Sequence, residues 1–255
     1  MEDYEKSGHM TLVPVKDVGK GKYYIPHHCI VKPDSSTTKL RVVFDASARD
    51  ASGKSLNDTL LTGPKLQSDI VQVLLLFRLH VVVFLADIRQ MYRQILVVDN
   101  HRDYQRILWR SSPVQVLQEY RLNTVTYGVS SAPFLACRTI RQLAEDEGSA
   151  FPLAKQIVNS DIYVDDIVTG CETLDAALEA KSQIIKLFKL GHFQLRKWAS
   201  NVPELLVDIP QEECLLNSKT FNTDESCSLK VLGLKWEPTS DTFSFDVESS
   251  KRSCT

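Results

Sequence analysis

The stretch that most constrains this chain is Asp161-Ile162-Tyr163-Val164-Asp165-Asp166-Ile167-Val168, in which two adjacent carboxylates lie between short β-branched runs. We interpret residues 157–158 and 162–163 as one strand, 167–169 as the next, and 164–166 as the tight connection. Adjacent like charges are costly to bury, but a divalent cation can neutralise them at a hairpin tip. Taken alone, such a pair is more often a solvated acidic turn, so its meaning depends on the rest of the chain.

A second acidic position follows an almost continuous apolar run, Val81-Val82-Val83-Phe84-Leu85-Ala86, which predicts a central strand buried on both faces. Asp87 comes next, where the buried strand meets solvent and a rigid element holds the carboxylate. In an antiparallel sheet this strand and the Asp165-Asp166 hairpin can be neighbours, so that three carboxylates converge. Such a cluster can hold two divalent cations for attack of a hydroxyl on a phosphate. Carboxyl groups more than about 10 Å apart would exclude a shared ion cage.

A cationic hairpin is predicted near the N-terminus, with strands around residues 23–31 and 39–45 and a polar turn between them. Lys32 lies on one arm, and Lys39 and Arg41 lie on the other. Because an Arg fork and a Lys point charge are the usual phosphate ligands, this hairpin is a candidate flap over a triphosphate. The alternative is an ordinary exposed hairpin with solvating cations.

Periodicity and capping signals predict the remaining elements. Residues 67–78 are predicted to form a helix capped by Ser68, with a broad buried face of Ile70, Val71, Leu74, Leu75 and Phe77. The first 20 residues are polar and weakly patterned, which predicts a poorly ordered lead-in. The other predicted elements are strands at 104–109, 120–127 and 193–198, helices from Pro133 to about Glu147 and between Thr173 and Gly191, and a closing hairpin of 229–236 and 242–245.

Charge is divided unevenly along the chain, although its net charge is only −2. Residues 16–143 carry 18 Lys and Arg against 10 Asp and Glu, whereas residues 144–255 carry 11 against 19. The basic half could face a phosphate backbone. The alternative is that the acidic half is simply a soluble surface, and charge alone does not decide between them. No apolar run reaches the roughly 18 residues that a bilayer crossing needs, and no signal peptide is present, which argues against a membrane partner. The six Cys form no Cys-x-x-Cys pair, so we expect reduced thiols and an intracellular location.

Two boxes, Tyr163-Val164-Asp165-Asp166 and Leu85-Ala86-Asp87-Ile88-Arg89-Gln90-Met91-Tyr92, resemble the catalytic boxes of reverse transcriptases. The resemblance is closest to the polymerase of BEL/Pao-type LTR retrotransposons, and it covers about residues 22–245 in the correct order. Other phrases that carry it are Pro26-His27-His28, Arg41-Val42-Val43-Phe44-Asp45-Ala46-Ser47, Ser55-Leu56-Asn57-Asp58, Gly63-Pro64-Lys65-Leu66-Gln67, Leu122-Asn123-Thr124-Val125-Thr126-Tyr127-Gly128 and Leu195-Arg196-Lys197-Trp198.

The resemblance implies an α+β right-hand polymerase with fingers and palm, in which helices back an antiparallel palm sheet. The chain stops just past the primer grip, so we expect the thumb, connection and RNase H parts to be absent and the sequence to be a fragment of a Pol polyprotein. The implied segments are a lead-in at 1–20, the first part of the fingers at 21–80, palm at 81–100, a fingers and palm return at 101–125, palm with hairpin and primer grip at 126–245, and a tail at 246–255.

The same resemblance implies that Asp87, Asp165 and Asp166 bind two Mg²⁺ ions, or Mn²⁺, together with the backbone carbonyl of Ile88. The implied reaction is the addition of dNTPs to a primer 3′-hydroxyl on an RNA or DNA template. One alternative is an inactive, truncated remnant that keeps the fold and at most binds nucleic acid. Another is a viral RNA-dependent RNA polymerase, against which the bulky Tyr92 speaks.

Nucleotide and primer contacts are also implied by the resemblance. Tyr92 falls where these enzymes keep an aromatic gate against a 2′-hydroxyl, and Lys197 falls at the general acid toward pyrophosphate. The implied nucleotide-binding residues are Lys32, Arg41, Tyr92, Tyr127, Gly128 and Lys197, and the implied primer grip is Leu232, Gly233, Leu234 and Trp236.

Overall fold

A computed structural model describes residues 1–32, 40–215 and 228–245. The chain forms two compact units, the first made of residues 1–66 and 90–142 and the second of residues 67–89 and 143–255. The helices, in chain order, are α1 Glu2–Lys6, α2 Leu56–Thr59, α3 Ile70–Leu79, α4 Ala132–Glu147, α5 Pro152–Ser160 and α6 Leu174–Leu190. The strands are β1 Met10–Leu12, β2 His27–Val31, β3 Leu40–Phe44, β4 Val82–Ile88, β5 Arg106–Trp109, β6 Gln118–Leu122, β7 Ile162–Tyr163, β8 Asp166–Cys171, β9 Leu195–Ser200, β10 Leu229–Val231, β11 Leu234–Glu237 and β12 Thr242–Ser244.

The second unit is built around a four-stranded antiparallel sheet with strand order β7-β8-β4-β9. β4 lies inside this sheet, and every one of its residues is buried, as its apolar sequence predicts. The ring of Phe84 on β4 stacks on Trp198 of β9, with ring centroids 6.1 Å apart. The strand that carries Asp87 is therefore held on both sides by hydrogen-bonded neighbours.

Helix α6 of the second unit has the ends that its sequence predicts. The Thr173 side chain accepts a hydrogen bond from the Ala176 amide, and the helix ends at Gly191. The Leu153 amide of α5 donates to the side chain of Gln183 on α6 at 2.9 Å, which joins the two helices. The buried residues of α6 are Ala177, Ala180, Lys181, Gln183, Ile184, Leu187 and Phe188.

The end of the described chain forms a three-stranded antiparallel meander, β10-β11-β12, in place of the predicted two-stranded hairpin. Leu232 and Gly233 both have positive φ, which is typical of a two-residue type I′ turn and divides residues 229–236 into two strands. Trp236 of β11 is fully buried and meets Phe77 of α3 edge-on, with ring centroids 5.3 Å apart. The meander thus shares one hydrophobic core with α3 and β4.

The first unit contains a three-stranded antiparallel sheet, β1-β6-β5, and the predicted hairpin of β2 and β3. Arg106 at the start of β5 is fully buried and donates to the side chains of Asp103 and Glu119 and to the carbonyl of Asp17. Met10 of β1 is buried in the core of the unit. The expectation of a disordered lead-in is therefore wrong, because apolar and ionic contacts tie the first 20 residues to this sheet.

Three local predictions in the second unit are also wrong. Residues 157–158 belong to α5, because Pro152 begins a helix there and Ile157 and Val158 are buried along it. Helix α3 is capped by the side chain of Asp69 instead of Ser68. Phe77 is buried as predicted, but the other buried residue is Val73, and the predicted core residues Val71 and Leu75 are exposed.

The boundaries of the two compact units differ from those of the implied fingers and palm segments. Residues 67–80 belong to the second unit, whereas residues 90–100 and 126–142 belong to the first. Lys39, the polar turn before it and the tail at 246–255 lie outside the described residues. None of the helices in the described ranges has the length and apolar character that crossing a bilayer requires.

Candidate active site

A single row of paired residues crosses all four strands of the sheet in the second unit. Tyr163 is opposite Asp166, Asp166 is opposite Asp87, and Asp87 is opposite Arg196. Opposite side chains in an antiparallel pair share a face and have Cβ atoms about 4.5–5.5 Å apart. The register therefore confirms that Asp87 and Asp166 converge, as the sequence predicts.

The hairpin between β7 and β8 carries Asp165 in its turn and Asp166 at the start of β8. Tyr163 pairs with Asp166, so Val164 and Asp165 form a two-residue turn. The Ile88 amide donates to the Asp165 carbonyl at 2.8 Å, which ties the turn to the end of β4. Val164 has φ +58°, a left-handed conformation that is strained for a β-branched residue. The turn that carries the acids is thus held in place against a local conformational cost.

We expect Val164→Gly to raise the free energy of unfolding by up to about 1 kcal/mol, because glycine adopts positive φ without a steric penalty. The matched control is Val207→Gly, since Val207 is 83% exposed and has the ordinary helical φ of −59°. Glycine there should lower the free energy of unfolding by about 0.5–1 kcal/mol. Urea denaturation of both variants measures the two changes in the free energy of unfolding, which should have opposite signs. A lower free energy of unfolding in Val164→Gly would show that Val164 is not strained.

Both aspartates of the hairpin have raised pKa values. Burial raises the pKa of Asp166 to about 6, and the negative charges of Asp165 and Asp87 add to the rise. Burial and the charge of Asp87 likewise raise the pKa of Asp165, whereas Lys197 and Arg196 oppose that rise. The clustered acids therefore retain protons more strongly than isolated ones, as expected where a cation would neutralise them.

This shift predicts how stability depends on pH without divalent cations. The folded protein keeps the Asp166 proton up to about pH 6, whereas the unfolded chain releases it near pH 4. The folded state therefore binds more protons between these values, and this carboxyl lowers the free energy of unfolding as pH rises through that window. We expect Asp166→Asn to remove this contribution and to gain on the order of 1–2 kcal/mol at pH 7. Urea denaturation at pH 4 and 7 checks this, with exposed Glu204→Gln as the control, and equal gains at both pH values would contradict it.

The third aspartate, Asp87, is engaged by two cations. Its side chain is 8% exposed, and its Oδ1 accepts from Arg196 Nε at 2.8 Å while its Oδ2 accepts from Lys197 Nζ at 2.7 Å. The resemblance implies no role for Arg196, although this residue belongs to one of the phrases that carry it. Consecutive residues of a regular strand point to opposite faces, which hid the pairing of both cations with one acid.

The donor chemistry of this cluster fits magnesium, because carboxylate oxygens are the ligands that this ion prefers. The side-chain arrangement does not offer all of these donors at once, since both oxygens of Asp87 hold cations. In the part of the chain that the structure describes, no group of three or more His, Cys, Asp or Glu side chains is arranged to hold a metal ion. Asp165 and Asp166 are therefore the acids open to an ion, and Asp87 would first have to exchange its partners.

Five predicted nucleotide-binding residues lie in the first unit, and Lys197 lies in the second. Tyr92 is buried, and its ring meets the ring of Tyr127 edge-on, with centroids 4.3 Å apart. Gly128 is the residue after Tyr127 in the chain. Gly128 has φ +93°, and a Cβ there would collide with the Phe44 carbonyl oxygen, so this position requires glycine. The remaining two residues, Lys32 and Arg41, are both exposed on the β2–β3 hairpin.

The predicted primer-grip residues divide into a turn and a core residue. Gly233 is exposed at the β10–β11 turn, and Leu232 beside it is partly buried. Trp236 is fully buried, and its Nε1 donates to the side chain of Asp241 at 2.8 Å. Its indole therefore anchors the β11–β12 turn, whereas Leu232 and Gly233 form the β10–β11 turn.

Comparisons of sequence with protein-family models and with curated proteins gave no match. Solved structures do match. A foamy viral protease-reverse transcriptase in complex with double-stranded DNA aligns with a TM-score of 0.59 and 16% identity, over 93% of this chain and 32% of that one. The prototype foamy virus protease-reverse transcriptase aligns as a CSH mutant with a TM-score of 0.57 and 14% identity, over 76% and 22%. The chain thus has a retroviral-type reverse transcriptase fold, and it spans a third or less of the length of these proteins.

Proposed function

We propose that this chain is the polymerising core of an RNA-directed DNA polymerase, which adds dNTPs to a primer 3′-hydroxyl. The observation that carries the proposal is the cross-strand pairing of Asp87 with Asp166, next to Asp165, at one end of a sheet in a reverse transcriptase fold. The two hairpin carboxylates, Asp165 and Asp166, have raised pKa values, and together with Asp87 they are suited to divalent cations and poorly suited to an apolar core.

The residues that would hold two Mg²⁺ ions, or Mn²⁺, are Asp87, Asp165 and Asp166, with the backbone carbonyl of Ile88. Bound ions would activate the primer hydroxyl and neutralise the charge that develops on the leaving pyrophosphate. The chain itself positions the acids, because the Ile88 amide fixes the Asp165 carbonyl and the β4–β8 register fixes Asp166. Lys197, beside this cluster, is the proposed proton donor to pyrophosphate.

The first unit would supply contacts to the nucleotide. Exposed Lys32 and Arg41 are suited to bind the triphosphate, since neither is buried in the described structure. Tyr92, braced by Tyr127, would exclude a ribose 2′-hydroxyl and so favour dNTPs. The Leu232-Gly233 turn is the proposed primer grip.

The finer assignment is a BEL/Pao-type retrotransposon Pol polyprotein, whose other parts would supply the thumb, connection and RNase H. It rests on the ordered sequence phrases and implies an intracellular protein. The proposed partner is a primer on an RNA or DNA template, and one structural neighbour was solved with double-stranded DNA.

A second candidate function is nucleic-acid binding without polymerisation. It is favoured by one observation, namely that both oxygens of Asp87 are paired with cations. A protein fixed in this arrangement would keep the fold and lose the third metal ligand.

Primer extension by the full chain distinguishes these functions. We expect a DNA primer on an RNA template to be extended with dNTPs and Mg²⁺, and NTPs to be incorporated poorly. Primer–template binding, measured by fluorescence anisotropy, is followed in the same samples. Binding with no extension, even at high protein concentration with Mn²⁺, would favour the inactive remnant. Preferential use of NTPs would instead indicate an RNA polymerase.

A further inference from the structure

Two neighbouring cations reach one carboxylate because strand β9 is irregular. Leu85 pairs with Ala199 and Asp87 pairs with Arg196, so β9 has one residue more than β4 between these pairs. This is a β-bulge, and Lys197 within it has φ +56°. The bulge brings Lys197 to the same carboxylate as Arg196, instead of turning it to the opposite face.

The backbone conformation of Lys197 costs free energy, because left-handed φ is unfavourable for a residue with a Cβ. Such strain persists only where surrounding structure maintains it, and it is concentrated at functional sites. The side chains of Arg196 and Lys197 are 28% and 37% exposed, so both can move into solvent. An ion pair of this exposure is weak enough to be exchanged.

We propose that Arg196 and Lys197 form a cationic latch on Asp87, which keeps this carboxylate from divalent cations until an ion on the hairpin displaces the latch. The inference rests on the proposed metal site. It follows because the two oxygens of Asp87 that the cations occupy are the oxygens that an ion would require. Asp165 and Asp166 would bind an ion first, and Asp87 would join after the latch opens. Arg196 and Lys197 thereby set the affinity of the site for metal.

The test is a titration of the full chain with Mn²⁺, in which electron paramagnetic resonance measures the free ion. The variants are Arg196→Met and Lys197→Met, which keep most of the side-chain length and remove the charge. The matched control is Lys186→Met, since Lys186 is an exposed lysine of α6 in the same unit. We expect each latch variant to bind Mn²⁺ about fivefold more tightly and the control to match the wild type.

A second measurement uses only the wild-type protein. Acetylation by acetic anhydride, mapped by mass spectrometry, reports how freely each lysine ammonium reacts. Because release from Asp87 frees the Lys197 ammonium, we expect Mg²⁺ to accelerate its acetylation and to leave Lys186 unchanged. This measurement does not depend on the folding of any variant.

The outcomes separate the latch from the site on which it rests. The latch would be overturned if neither latch variant bound Mn²⁺ more tightly and if Mg²⁺ did not change the rate of Lys197 acetylation. The proposed polymerase function would be unaffected by that result. Asp166→Asn identifies the site, because it should abolish the tight binding. If Asp166→Asn changes nothing, the ion binds elsewhere, and the proposed metal site fails together with the latch.

Discussion

Asp165→Asn is expected to abolish dNTP-dependent primer extension, with a loss of at least about a thousandfold in rate. Asparagine keeps the shape of the side chain but cannot supply an anionic oxygen to a cation, so the proposed metal site would lose one of its carboxylates. Burial and the charge of Asp87 raise the pKa of Asp165, which means that its negative charge is unfavourable in the folded state. The fold should therefore persist when the substitution removes that charge. Rates of extension by wild type and variant, at equal primer–template occupancy, check the prediction.

The matched control is Asp161→Asn, at another aspartate of the same hairpin segment. The Asp161 side chain accepts a hydrogen bond from the Thr169 hydroxyl at 2.6 Å, and an asparagine oxygen can accept the same bond. We expect this variant to extend primers at close to the wild-type rate. Extension by Asp165→Asn comparable to that of Asp161→Asn would show that the hairpin acids are not catalytic.

Arg106→Met is expected to lower the free energy of unfolding by about 3–5 kcal/mol. The guanidinium is fully buried and pairs with Glu119 at 2.8 Å and Asp103 at 2.7 Å, and it also donates to the Asp17 carbonyl. Methionine fills part of the space but removes the buried guanidinium from Glu119 and leaves Asp103 with Arg121 alone. Urea denaturation measures the loss, which is large compared with the 5–15 kcal/mol that typically separates folded from unfolded domains.

Arg121→Met is the control for this prediction, because Arg121 pairs with the same Asp103 at 2.6 Å but is 26% exposed. Water can replace the lost partner there, so we expect a loss of no more than about 1 kcal/mol. Losses of equal size in the two variants would mean that burial does not govern the contribution of these pairs.

The elements that sequence predicts best are those fixed by local patterns. β4 is recognised by its unbroken apolar run, and α6 by the Thr173 cap and Gly191 stop. Strands and helices of this kind are predictable because residues close in sequence determine their conformation and their ends. Sequence places Asp87 and Asp166 at strand ends, but their meeting also requires the pairing of β4 with β8, which are distant in sequence.

The errors occur where distant contacts decide. Ile157-Val158 is β-branched and predicts a strand, but packing of α5 on α6 overrides that preference. Positive φ at Val164 and Lys197 has no sequence signal, because both residue types disfavour it. The pairing of Arg196 and Lys197 with Asp87 was therefore hidden, since it depends on a bulge that only the register of two strands reveals.

The β4–β8 register makes the meeting of Asp87 and Asp166 depend on the exact length of β8. Removing one codon from β8, for instance that of Val168, would turn the Asp166 end of the strand to the opposite side while most backbone hydrogen bonds could re-form. A variant with this deletion retains every aspartate and still loses the meeting of Asp87 and Asp166. The presence of all three aspartates would not reveal this change, whereas the number of residues from Asp166 to Gly170 would.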